Sequence, residues 1–210
     1  MSTIIDIYCH IYPDRFFQEM SKVAPNLSNI GQRLRGIKKL FDLDARFKEM
    51  DEFGDYRQII SLPNPAIEDI AKPDVGLQLA RIANDSMAEL CRKYPQRFPS
   101  FAAALCLTEV DGSIREAQRA IKDLGARGVL IYTNVAGEPL DQPKFEPLFK
   151  LMAELCRKYP DRFPAFAAAL CLTDVDGSVA EARAFLEQLP VSVADRERIA
   201  HKNAEALFRL

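Results

Sequence analysis

The chain has 210 residues, 48% of them hydrophobic and 28% charged, with a net charge of −2. That is enough for one domain with a real core, and the two charge signs are interspersed, which argues against a nucleic-acid groove or a polybasic membrane patch. Met1–Phe17 has no basic n-region and no long apolar run, so no signal peptide is expected, and no segment reaches transmembrane length. The five cysteines, Cys9, Cys91, Cys106, Cys156 and Cys171, form no CxxC pair and are expected as reduced thiols of a cytoplasmic protein.

Apolar runs of strand length alternate with stretches of helical period. Thr3–Tyr8 is the first β-rich run. Helical stretches follow at Pro13–Met20 and Asp44–Phe53, and Pro25–Lys39 between them has no clear period and reads as a loop. Tyr56–Leu62 is the second strand, closed by Pro63-Asn64-Pro65. Asp74 is placed to cap a helix to about Tyr94, with an apolar stripe of Leu79, Ile82, Ala83, Met87 and Leu90. Phe98–Leu105 is a third, alanine-rich strand. Asp111-Gly112-Ser113 opens a helix that Gly125 ends, and Arg127–Thr133 is the fourth and clearest strand.

Pro143–Leu155 is a further helix with Phe145, Leu148, Phe149 and Met152 on one face. Phe163–Leu170 is a fifth strand, and Asp176-Gly177-Ser178 opens a helix to about Leu189. Ser192-Val193-Ala194-Asp195 resembles a capping box for a last helix running to about Phe208. This alternation predicts βαβ units and a parallel sheet. No glycine-rich fingerprint follows the first strand, which lowers the dinucleotide-binding reading and favours a (β/α)8 barrel.

The chain copies itself. Residues 87–117 recur at 152–182, an offset of 65, with five of 31 positions changed: Gln96/Asp161, Ser100/Ala165, Glu109/Asp174, Ile114/Val179 and Arg115/Ala180. A shared fold constrains core positions but not solvent ones. The identical Arg92-Lys93 and Arg157-Lys158 pairs therefore indicate a copying event. MAEL stands at both 87–90 and 152–155, where a crossover would explain the junction.

IIDIYCHIYPDRFF, from Ile4, resembles the opening of the amidohydrolase superfamily, above all the branch of aminocarboxymuconate-semialdehyde and resorcylate-type decarboxylases. FDLDARFKEMDEFGDYRQIISLPNP resembles that family's arginine-bearing helix and second strand. Asp69–Leu155 continues the likeness, and LPVSVADRERIAHKNAEALFRL resembles its closing helix. The resemblance implies a metal-dependent TIM barrel whose first strand usually ends in His-x-His. It also implies a divalent metal of zinc or manganese type, and decarboxylase or hydrolase chemistry on a small aromatic or unsaturated carboxylate. His10 and Tyr8 fall on the metal-ligand positions, and Arg46 matches the arginine that binds the substrate carboxylate. Tyrosine is a poorer ligand near neutral pH, because its phenol must lose a proton with a pKa near 10. Asn64, at a strand end where barrel loops bind substrate, is the other binding candidate, though Pro63-Asn64-Pro65 reads first as a plain turn.

After MAEL the family would continue into strands carrying further metal-binding histidines and an aspartate, and the second copy stands there instead. The chain has two histidines, His10 and His201. His201 has Glu197 and Glu205 four residues to either side, which reads as a solvated helix face. Asp6 is expected as a supporting group rather than a ligand. Cys106 and Cys171 have no histidine partner in reach, and Thr133-Asn134 reads as a turn.

The expected architecture is one amidohydrolase-like domain over 1–210, α/β, a partial (β/α)8 barrel of about five parallel strands. Residues 1–155 form its front part and 184–210 its helical end, and it is open rather than closed, since strand number, tilt and shear are linked. Its open edges favour self-association into a homo-oligomer. The functional expectation is an amidohydrolase-related protein for small carboxylates without a complete catalytic site. The alternatives are a non-catalytic ligand-binding or interaction module, and an enzyme active only as an assembly. No nucleic-acid or membrane partner is expected.

Overall fold

The computed structural model describes residues 4–25, 33–158 and 192–197. The fifth strand at Phe163–Leu170, the helix opened by Asp176, Cys171, His201 and the closing helix beyond Glu197 lie outside the described residues. The chain divides into two compact units, Met1–Leu130 and Ile131–Leu210.

The first unit holds the sheet. Strand β1 (Ile4–His10) leads to helix α1 (Asp14–Val23), a 3-10 turn (Lys38–Leu40) and α2 (Leu43–Asp51). Strand β2 (Tyr56–Ser61) is followed by α3 (Ile67–Ile70) and α4 (Pro73–Lys93), then β3 (Ser100–Ala103), α5 (Val110–Lys122) and β4 (Gly128–Val129). The order is β1-β2-β3-β4 with every pairing parallel. It is an open, curled half of a (β/α)8 barrel, as the alternation predicts. Ile4 pairs with Tyr56 and His10 with Ser61, and the register slips between Asp6 and Cys9.

The boundaries differ from expectation where side chains intervene. β1 runs two residues past Tyr8, so His10 sits at its last position. β3 stops at Ala103 because the amide and carbonyl of Ala104 are taken by the Asn84 side chain, at 2.8 and 3.0 Å. Asp74 is not the cap of α4: Lys72 holds that position, Pro73 opens the helix, and Asp74 sits in the first turn, where its charge suits the helix dipole. α5 likewise starts one residue before Asp111, capped by the Glu109 carboxylate, which accepts from Gly112 N. Gly125, at φ +83°, makes the turn after α5 that only glycine adopts cheaply. α3 is a single turn without periodic signal and was not anticipated.

The core lies between sheet and helices, with Phe16, Met20, Ile60, Met87, Phe98, Phe101 and Ile121 at most 1% exposed. The buried stripe of α4 is centred on Ala80, Ala83, Asn84, Met87 and Ala88, while Ile82 and Leu90 are only half-buried. Gly76 lets α4 pass against Cys106, for a Cβ there would collide with its Sγ.

At the centre stands Asn84, fully buried. Besides holding Ala104, its amide donates to Glu116 Oε1 at 2.8 Å. Glu116, 1% exposed, also accepts from Arg119 at 2.8 and 2.9 Å and from Arg81 at 3.3 Å. A buried carboxylate is tolerated only with such partners. Asn84→Ala leaves two backbone groups and part of this carboxylate unsatisfied. It is expected to cost on the order of 2–4 kcal/mol in urea unfolding, whereas exposed Glu89→Ala should cost within about 0.5 kcal/mol.

The second unit contains a two-strand hairpin, β5 (Asn134–Val135) with β6 (Glu138–Pro139), a 3-10 turn (Pro143–Phe145), α6 (Glu146–Lys158) and α7 (Val193–Glu197). Thr133 precedes β5 and Asn134 opens it, so the turn is Ala136-Gly137, and Asn134 Oδ1 accepts from Gly137 N at 2.9 Å across it. Phe145, Leu148, Phe149 and Met152 are all buried, as their spacing predicts. Ser192 Oγ accepts from Asp195 N at 3.1 Å, the expected cap, and Asp195 also pairs with Arg157. Among the described residues no helix is long and apolar enough to cross a membrane.

Candidate functional site

In a half-barrel of parallel strands the chemistry belongs at the C-terminal ends. Here these are His10, Ser61–Asn64, Ala104–Thr108 and Leu130, all within the first unit. His10 and Tyr8, two apart on β1, lie side by side with ring centroids 4.8 Å apart, edge to face. Tyr8 is 63% exposed, while His10 is half-buried.

Ser61 sets the His10 ring. Its hydroxyl donates to the Cys9 carbonyl at 3.0 Å and meets His10 Nδ1 at 2.9 Å. A hydroxyl has one proton, so both contacts are hydrogen bonds only if Nδ1–H is the donor to Ser61. Nε2 then keeps its lone pair, the form a metal or a proton would use. Burial lowers the pKa of His10 below 6.5, assisted by the charge of Arg46.

Arg46 stands behind this strand end. It is 8% exposed, with Nε donating to the Lys39 carbonyl at 3.1 Å and Nη2 to the His10 carbonyl. Its Nη1 is buried without a partner. Arg46 thus fixes the backbone of His10, and one of its nitrogens remains uncommitted.

Asp6 is occupied. Its Oδ2 accepts from the Tyr56 hydroxyl at 2.6 Å and its Oδ1 from Tyr8 N at 3.0 Å. Burial alone would raise its pKa, but hydrogen bonds from Cys9, Tyr56 and Tyr8 outweigh this and hold it below 3.8. Burial, with Asp6 beside it, pushes the Cys9 thiol up to about 12, so Cys9 is a packing residue and not a nucleophile. Asn64 is exposed, and its carbonyl accepts from the Tyr12 hydroxyl at 2.5 Å. The Asn64–Pro65 bond is cis.

Two features escaped the sequence reading. Ser61 was hidden as one polar residue ending an apolar run. Glu68, on α3, has its carboxyl pushed up to about 7 by burial, with Asp69 adding to it. Its charge is also felt by the Cys106 thiol, which burial raises. Beside α1 a cleft of about 430 Å3 is lined by Phe17, Ser21, Arg35 and Phe41. The two phenyl rings meet edge to face at 4.7 Å, the Arg35 guanidinium lies 5.6 Å from the Phe17 ring, and Ser21 Oγ is buried without a partner.

A half-barrel with an imidazole at the end of its first strand and an arginine behind it defines the class. The model of the Amidohydrolase family matches residues 5–157, and the chain belongs to that family. It is similar to a gamma-resorcylate decarboxylase of Rhizobium sp. (strain MTP-10005), 43% identical over 94 residues, which cover 44% of this chain and 28% of that relative. The chain therefore aligns with under a third of that relative's length. The crystal structure of a 2,6-dihydroxybenzoate decarboxylase complexed with 2,6-dihydroxybenzoate is 26% identical, with a TM-score of 0.63 over 90% of this chain and 62% of that one. The fold is shared with a dihydroxybenzoic acid decarboxylase from Polaromonas sp. JS666 holding manganese and 2-nitroresorcinol, at 20% identity and a TM-score of 0.62, covering 100% of this chain and 98% of that one. The resemblance drawn from IIDIYCHIYPDRFF holds.

Two titrations follow. Between the lowered pKa of His10 and 6.5 the folded chain binds fewer protons than the unfolded one, so this residue's contribution to stability is lost as pH falls through that window. NMR should show the His10 imidazole titrating below 6.5, with the proton on Nδ1 at pH 7. Glu68 has the opposite sign: its pKa is raised from 4.5 to about 7, so stability falls as pH rises between those values. Glu68→Gln should flatten that slope, by on the order of 2 kcal/mol at pH 8.

Proposed function

We propose that this chain is a decarboxylase-like amidohydrolase that binds a small aromatic carboxylate at its strand ends, without a complete catalytic site of its own. The observation that carries this reading is His10: an imidazole at the end of β1 whose Nδ1 is held by Ser61, in a chain whose only other histidine is His201. The printed ligand of the similar dihydroxybenzoate decarboxylase supports the ligand class.

The family's divalent metal does not fit the described donors. A catalytic site needs about three protein ligands. His10 supplies one, and both Asp6 oxygens already accept hydrogen bonds. Among the described residues no group of three His, Cys, Asp or Glu side chains is arranged to hold a metal ion.

What these residues would do is bind and orient. Arg46 holds the His10 carbonyl, and its Nη1 would take a carboxylate oxygen, a charge-assisted contact. Asn64, exposed at the end of β2, would offer its amide to a ring substituent. The Phe17–Phe41 cleft supports a second location for the same ligand: Arg35 would meet the carboxylate and Ser21 Oγ an oxygen. A cytoplasmic setting fits the free thiols of Cys9, Cys91 and Cys106.

Calorimetry with 2,6-dihydroxybenzoate, alongside carbon dioxide release, tests the reading. Binding without turnover is expected, weakened at least tenfold in Arg46→Ala with the melting temperature recorded in parallel. Loss in Arg35→Ala but not Arg46→Ala would move the ligand to the cleft. Turnover by a monomer holding one metal ion, abolished in His10→Ala, would overturn the proposal.

A further inference from the structure

At the end of β1 three successive residues are each held by a different element. The His10 carbonyl accepts from Arg46 Nη2 on α2. Ile11 N donates to the Ser61 carbonyl at 2.9 Å, and Tyr12 N donates to the Leu40 carbonyl at 2.8 Å. The Lys39 carbonyl, one residue earlier, accepts from Arg46 Nε at 3.1 Å. The 3-10 turn over Lys38–Leu40 therefore braces both Arg46 and Tyr12.

Tyr12 is 2% exposed. Its ring stacks on Phe41 at 5.2 Å and 20°, lies nearly parallel to Phe16 at 6.3 Å, and is tilted against Phe17 at 5.4 Å. A ring packed among three others is fixed, and so is the direction of its hydroxyl. That hydroxyl reaches across 52 residues of sequence and donates to the Asn64 carbonyl. Burial pushes the phenol up to about 12, so it remains a donor at neutral pH. Asn64 is exposed, between buried Pro63 and half-buried Pro65. An exposed side chain is aimed through its backbone, and here a buried ring holds that backbone.

We propose that Tyr12 is a positioning residue of the strand-end site: its hydroxyl holds the Asn64 carbonyl and so aims the Asn64 amide at a ring substituent of the bound carboxylate. The inference rests on the reading of Arg46 and Asn64 given above. Arg46 would meet the carboxylate, which every ligand of the class carries. Asn64 would meet the substituent that tells one ligand from another. Tyr12 then governs discrimination between ligands, because an amide that must be ordered on binding contributes less than one already aimed.

Calorimetry on the full chain with benzoate and with 2,6-dihydroxybenzoate separates the two contacts. The wild type is expected to prefer 2,6-dihydroxybenzoate. Tyr12→Phe keeps the ring and removes only the hydroxyl. It should weaken 2,6-dihydroxybenzoate about fivefold and leave benzoate unchanged. Asn64→Ala should lower the preference at least as far, and adding Tyr12→Phe to it should lower it no further, since both act on one contact. Equal weakening of both ligands by Tyr12→Phe would mark a merely structural role and overturn the inference, as would an unchanged preference or an additive double variant. A wild type that binds neither ligand, or an Asn64→Ala variant that keeps the full preference, would overturn the reading of the site itself and this inference with it.

Discussion

Each strand of a parallel sheet carries two rows of backbone donors and acceptors, and each row needs a neighbour or water. That constraint governs this molecule. Inside the sheet the rows are matched, β2 and β3 are buried, and the core is closed over Ile60 and Phe101. Among the described residues the matching stops at β1 and β4, and Ile4, Ile5 and Ile7 of β1 are exposed.

The strand ends show how the fold prepares a site before any ligand arrives. One arginine nitrogen holds the carbonyl of His10, one serine hydroxyl sets its ring, and the tautomer follows from counting a single proton. Asp6 is drawn away from the mouth by Tyr56. These are supporting contacts around a first group whose companions are not among the described residues. Positioning and chemistry are separable here, because the residues that hold His10 come from β1, α2 and β2, all in the first unit.

How much of this was legible in the sequence varies with the kind of signal. The first three strands and the main helices follow from periodicity, because a buried face repeats at the interval of its element, whereas the fourth strand, expected over Arg127–Thr133, pairs only at Gly128–Val129. Tyr8 and His10 on one side of β1 follow from strand alternation. The caps were misplaced by one or two residues, since Lys72 and Glu109 are not typical capping residues. The stripe of α4 was drawn through Ile82 and Leu90 because it was sought among apolar residues, and its true centre is Asn84. A buried amide announces itself only through partners distant in sequence, here Ala104 and Glu116. The role of Arg46 against two backbone carbonyls was unreadable for the same reason.

The Asn84 contact also bears on how the chain finds its fold. Residues 87–117 and 152–182 are near-identical candidates for one place in the sheet, but Asn84 lies outside the repeat. Sixty-five residues on, its counterpart is Phe149, buried in α6, so the second copy brings Glu181 without a matching amide. The first copy reaches Asn84 across 20 residues of chain, and the second would have to close a loop longer by 65. Loop-closure entropy alone favours the nearer candidate by about 1 kcal/mol. Because the repeat begins three residues after Asn84, the two near-identical segments differ in whether an amide stands ready beside them.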